Sequence, residues 1–167
     1  MKEVKANKHM LIGHTYEVNH KRVKTRSCKY KRIGDDKMGL DMYLYGKKDN
    51  YNLIDYNIGR VGIQVELGYW RKANAIHQWF VDNVQEGVDN CATYFVSKEQ
   101  LEELKSLCEE VINKPEIADE KLPTQSGFFF GSTEYDEFYF NDIQYTIDII
   151  DKCLKLDYDY FEYCSSW

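Results

Sequence analysis

Residues 59–87, GRVGIQVELGYWRKANAIHQWFVDNVQEG, change their hydrophobic period partway along. In the first part Val61, Ile63 and Val65 alternate with Gly62, Gln64 and Glu66, the period of two that lets a strand bury one face. From Gly68 the apolar positions follow a helical wheel instead. Ala73, Ile76, Phe80 and Val84 share one direction, Trp70 and His77 sit at its edge, and Gly87 is placed to end the helix. A half-buried strand feeding an amphipathic helix calls for helices layered on a sheet, an α+β fold.

The rest of the chain extends this pattern. Leu40, Met42 and Leu44 alternate with Asp41, Tyr43 and Tyr45, which predicts a strand at 39–45, and GKKDN at 46–50 reads as a turn. Ser97 and Gln100 form a capping box ahead of a helix that buries Leu101, Leu104, Cys108, Val111 and Ile112 until Pro115 stops it. Residues 114–126 hold both prolines and read as a loop. Residues 127–140, GFFFGSTEYDEFYF, read as an aromatic β-hairpin or a strand with a bulged loop. Asn141 and Gln144 suggest a second capping box, before a helix with Ile143, Ile147, Ile150 and Leu154 inward, and 158–164 alternates as a closing strand. The expectation is a small mixed or antiparallel sheet, with strands near 39–45, 59–67, 127–140 and 158–164, and about three helices packed on it.

A chain of 167 residues with 43% hydrophobic content is sized for one domain with a real core. Charge divides it. Residues 1–38 carry eleven Lys or Arg against four acids, a net +7, which leaves −13 for the remainder of a chain whose total is −6. The expected organisation is therefore a basic leader at 1–37 and a single α+β domain at 38–167. Three readings of the leader stay open: a nucleic-acid-binding arm, since Lys and Arg clusters release counterions on phosphates, a flexible and dispensable tail, or a misassigned start ahead of Met38. The five cysteines are odd in number and widely spaced, so they read as reduced cytosolic thiols rather than a disulfide framework or zinc knuckle. No apolar run approaches the length of a membrane span, and no membrane partner is expected.

The common phosphate-loop, dinucleotide, zinc-protease and serine-hydrolase motifs are missing from the sequence. The one histidine outside the leader, His77, falls inside the apolar arc of its helix, so it needs polar partners. A buried histidine held by a carboxylate or tyrosine is the plain reading. The functional one joins it to Arg71 and Asn74, which lie at intervals of three and form a row running from solvent toward the core. Tyr135, Asp136 and Glu137 form the densest binding-type group on the aromatic segment, although such acids are usually solvated loop charges. The candidate ligand- or partner-binding set is therefore Asp41, Trp70, Arg71, Asn74, His77, Tyr135, Asp136 and Glu137, with Trp70 as a wall and Asp41 close to Arg71. Neither a metal nor another cofactor is expected.

The strings MGLDMYL at 38–44, GYWRKANAIHQWFVDNVQ at 68–85 and LPTQSGFFFGSTEYDEFYFND at 122–142 resemble a family of small uncharacterised tailed-phage and prophage proteins. The resemblance covers residues 38–167 and implies a phage accessory protein acting in the bacterial host cytoplasm. It supplies no activity, and it favours a start at Met38. Three functions compete. The first is a non-enzymatic binding or inhibitor protein directed at a host protein or small ligand. The second is an acidic DNA mimic, which would gather Glu137, Asp148, Asp151, Asp157, Asp159 and Glu162 on one face. The third is a small hydrolase or transferase using His77 with Asp136 or Glu137. The binding reading ranks first, because no spacing here specifies a nucleophile, base and electrophile together.

Overall fold

The computed structural model describes residues 39–49 and 62–167. The leader, and the expected strand start at 59–61, lie outside the described residues. Four antiparallel strands and four α-helices make an α+β fold. In chain order the elements are β1 (Asp41–Asp49), β2 (Gly62–Arg71), α1 (Asn74–Asn83), β3 (Tyr94–Val96), α2 (Lys98–Asn113), a 3-10 turn (Pro115–Ile117), α3 (Ala118–Lys121), α4 (Glu137–Lys155) and β4 (Tyr160–Ser166). The sheet order is β2-β1-β4-β3.

Strand pairing moves the boundary between β2 and α1. Met42 pairs with Trp70 and Leu44 with Gly68, so backbone expected to be helical is held in the β1–β2 ladder as far as Arg71. Paired residues share a face, so Trp70 inherits the core side of Met42. A bulge between Leu44 and Tyr45 then shifts the register, and Tyr45 faces Glu66. Ile63 and Val65, expected inward, lie at the outer end of the strand and stay exposed, Ile63 by 58%. Lys72, at φ +62, turns the chain out of the sheet, and α1 begins at Asn74. The GKKDN turn also gives way: β1 continues through 46–49, where Gly46 lets Leu67 and Tyr158 close over the backbone.

The aromatic segment does not form a hairpin. Residues 127–130 make a tight turn, with Phe130 N–H donating to the Gly127 carbonyl, and a single backbone bond from Leu40 N–H to the Phe129 carbonyl ties it to the sheet. Asp136 accepts from the Phe138 and Tyr139 amides and so starts α4 five residues earlier than the expected Asn141–Gln144 box. Its carboxylate satisfies two of the amides a helix start leaves open, next to the positive end of the helix dipole. The third strand is instead the short β3, on the edge beside β4. The Ser97–Gln100 capping box of α2 is formed in both directions.

α1, α2 and α4 cover one sheet face. Leu40, Met42, Leu44, Trp70, Phe161 and Tyr163 meet Ile76, Phe80, Leu101, Leu104, Ile143 and Ile150 in one core. The opposite face carries a second buried cluster of Tyr43, Tyr45 and Cys164 with Tyr69 packed against it, so the central strand is covered on both faces rather than one. Cys91, Cys108 and Cys153 are free thiols, whereas Cys164 is disulfide-bonded, which departs from the all-thiol expectation. Burial pushes the thiols of Cys108 and Cys153 up to about 12, so neither is a nucleophile at neutral pH. Among the described residues no helix is long and apolar enough to cross a membrane.

Candidate functional site

The end of β2, the first turn of α1, residues 124–134 and the start of α4 enclose a cavity of about 330 Å³. Asn74 builds one wall. Its buried amide donates to the carbonyls of Phe130 (3.0 Å) and Ser132 (2.7 Å) and accepts from the Gln125 amide (3.0 Å). One side chain thus fastens both arms of the aromatic loop to α1. The loop is stiffened further by Thr124 Oγ1 donating to the Thr133 carbonyl and by the Tyr135 hydroxyl accepting from Thr124 N–H. Tyr139 closes the floor, its hydroxyl donating to the Leu122 carbonyl at 2.8 Å and its ring packed edge-on with Tyr135. Burial pushes the Tyr139 phenol well above its ordinary value, so it acts as a fixed donor.

Five charged side chains line this space: Arg71, Lys72, Glu134, Asp136 and Asp142. Two are committed to the fold. Arg71 lies 3.5 Å from the Asp41 carboxylate, which also accepts from the Tyr69 hydroxyl, and Asp136 caps α4. Asp142 is different. It is half-buried on α4, and its side chain has no hydrogen-bond or ion-pair partner among the described residues. Burial, followed by the negative charge of Asp136, pushes its carboxyl up to about 6. Asparagine in its place is expected to stabilise the protein in a pH-dependent way. The folded state holds this proton more tightly than the unfolded chain, so stability is greatest below the unfolded pKa near 4 and falls as pH rises through about 6. Asp142→Asn should therefore gain about 1–2 kcal/mol near pH 7.5, allowing for partial exposure, and nothing near pH 4. Urea denaturation at both pH values checks this, and an equal gain at both would show that ionisation is not the cause.

Of the residues singled out from sequence, Arg71, Asn74 and Asp136 line the cavity, and Asp41 braces Arg71 from behind. Tyr135 stands beside the cavity as a brace, and Glu137 lies exposed in the first turn of α4. Trp70 is not a wall. It is buried in the core, donating its indole N–H to Thr146 at 2.9 Å. His77 does not extend the Arg71–Asn74 row into the cavity. It is fully buried, with Nδ1 2.8 Å from the Tyr163 hydroxyl and Nε2 3.0 Å from the Asp89 carboxylate, which also accepts from the Trp167 indole. Lys72, Glu134 and Asp142 are charged lining residues that sequence reasoning misses. Asp142 was legible in principle, since an Asp136 cap places residues 139, 142 and 143 along the inward side of the first two turns.

These features define a class, an α+β protein with a cavity of mixed polar and apolar lining set at a strand-to-helix junction and bordered by a clamped aromatic loop. No protein-family model, curated protein or solved structure matches the chain.

Proposed function

We propose that this chain is a non-enzymatic binding protein, a phage accessory factor of the bacterial cytoplasm, that takes a small polar ligand into the cavity beneath the aromatic loop. The observation that carries the reading is the Asp142 carboxyl, half-buried in a preformed space and without a donor of its own among the described residues. A desolvated carboxylate lacking a partner destabilises a fold, and asparagine would remove the penalty. The charge makes physical sense when a ligand supplies the donor. The Asn74, Thr124, Tyr139 and Asp136 side chains lining the same space are already satisfied internally, which keeps those walls rigid.

The competing readings draw less support. For a DNA mimic, Asp151 pairs with Lys105, Asp157 with Lys48 and Glu162 with Lys47, so at least half of the six named acids are paired with lysines. For a hydrolase or transferase, both nitrogens of His77 face Tyr163 and Asp89 rather than Asp136 or Glu137.

The test is a titration of ¹⁵N-labelled protein with a library of small polar molecules. Hits should shift amides at 71–76 and 131–143 selectively, and Asp142→Asn should weaken them at least about tenfold, the equivalent of about 1.4 kcal/mol. A library that leaves those amides unmoved, or hits that bind the variant equally well, would defeat the reading.

A further inference from the structure

Resting on the cavity reading above, we propose that the ligand is a small zwitterion, a free amino acid or a close derivative. Its ammonium would meet Asp142 and Glu134, and its carboxylate would meet Lys72 beside Arg71.

The charges left over once the fold has used the others point to the ligand. Asp136 is consumed by the amides of α4, and Arg71 shares its charge with Asp41. That leaves the half-buried Asp142 and the exposed Glu134 and Lys72, none of which has a side-chain partner among the described residues. A ligand carrying only positive charge would satisfy the carboxylates but be repelled by Lys72 and Arg71. An anion would meet the reverse problem at Asp142 and Glu134. A molecule with both charges satisfies both sets in one space with little net charge transferred.

The backbone gives a second, independent indication. Lys72 occupies the left-handed region at φ +62, where a long side chain is uncommon, and it does so on the cavity wall. Facing it, Gly131 has φ +89, and a Cβ there would approach the Lys72 Cβ to 3.0 Å. The lysine stem is accommodated by a glycine in the one loop that Asn74 clamps. Glycine or asparagine would turn the chain at position 72 with less strain, whereas lysine places a cation on the cavity wall.

Size and lining agree with this class. A volume of about 330 Å³ corresponds to roughly ten water molecules, enough for a compact ligand. Ala73 and Ala75 border the space with the fully buried Ile76 and Ile143 behind them, and the 77% exposed Phe138 is the apolar lining side chain open to a ligand, with its ring available to a cation.

The experiment uses the full chain and three matched probe sets: the twenty proteinogenic amino acids, their decarboxylated amines and their deaminated acids. Amide shifts at 71–76 and 131–143 report occupancy, and calorimetry gives affinity. At least one amino acid should bind, with its matched amine and acid each at least tenfold weaker. Asp142→Asn should abolish the preference over the deaminated acid, and Lys72→Asn, which keeps a residue tolerant of the left-handed backbone, should abolish the preference over the amine. A matched amine or acid binding as tightly as the amino acid overturns the proposal. So does silence from every amino acid when other small polar molecules still shift the cavity amides, a result that leaves the cavity reading intact. If nothing shifts those amides, both readings fall together.

Discussion

Replacing His77 by leucine should lower the unfolding free energy by about 2–4 kcal/mol, although the side chain is apolar and similar in bulk. The imidazole bridges the fully buried Tyr163 hydroxyl to the part-exposed Asp89 carboxylate, which the Trp167 indole also contacts. Nδ1 lies 2.8 Å from the Tyr163 hydroxyl and Nε2 3.0 Å from the Asp89 carboxylate, so both ring nitrogens are engaged in the chain Tyr163–His77–Asp89–Trp167. Tyr163 is fully buried and stacked on Phe80 with ring centroids 3.9 Å apart, so its hydroxyl cannot turn toward water. Burial, and then the Asp89 charge, holds that phenol far above its ordinary range, so it cannot escape by ionising either. Leucine at 77 would strand it. Tyr163→Phe in the His77→Leu background should recover about 1–2 kcal/mol, because removing both partners of a buried hydrogen bond is milder than removing one. Chemical denaturation of the two single variants and the double variant measures the coupling. Strict additivity would show that the network carries no joint energy. The network also reaches the cavity loop, since His77 and Trp167 both pack edge-on against Phe130, whose carbonyl Asn74 holds, so His77→Leu should loosen that loop as well.

The contrast between His77 and Asp142 shows what was legible in the sequence. The histidine was visible because a polar ring within an apolar arc must find partners, and the plain reading, a carboxylate or a tyrosine, named the groups it meets. The α+β class followed from the mixture of periods. What failed was local and shared one cause, since residues 68–71 and 137–140 fit both periods. At 68–71 the ladder with Asp41–Leu44 decided for strand, through pairing that helical periodicity does not register. At 137–140 a single cap, Asp136, decided for helix against strong aromatic β-propensity. Moving the start of α4 by five residues brings Asp142 into the cavity beside Asp136. The clamp by Asn74 was not legible either, since its partners are backbone groups more than fifty positions away, set by topology.

Trp70→Ala should be the most damaging single change, with an expected loss of about 3–5 kcal/mol. Trp70 is 2% exposed, close to Phe80 and Tyr145, and sits where β2 meets α4. A Cβ added to Gly68 would come within 3.1 Å of the Trp70 ring and 2.9 Å of Ile149, so the indole fills the space the glycine leaves and removing it opens a cavity there. The indole N–H donates to Thr146 Oγ1, which in turn donates to the Asp142 carbonyl at 2.7 Å. This chain fixes the turn of α4 that carries the Asp142 carboxyl. Trp70→Phe separates the two contributions: it keeps most of the packing and removes the donor, so its stability loss should be only about 1–2 kcal/mol. If the Thr146 relay positions Asp142, Trp70→Phe should also move the carboxyl titration midpoint of Asp142, read by ¹³C chemical shift, away from about 6 while the core stays folded. A Trp70→Ala protein that melts like wild type would place the indole outside the core. An unmoved Asp142 midpoint in Trp70→Phe would restrict Trp70 to packing alone.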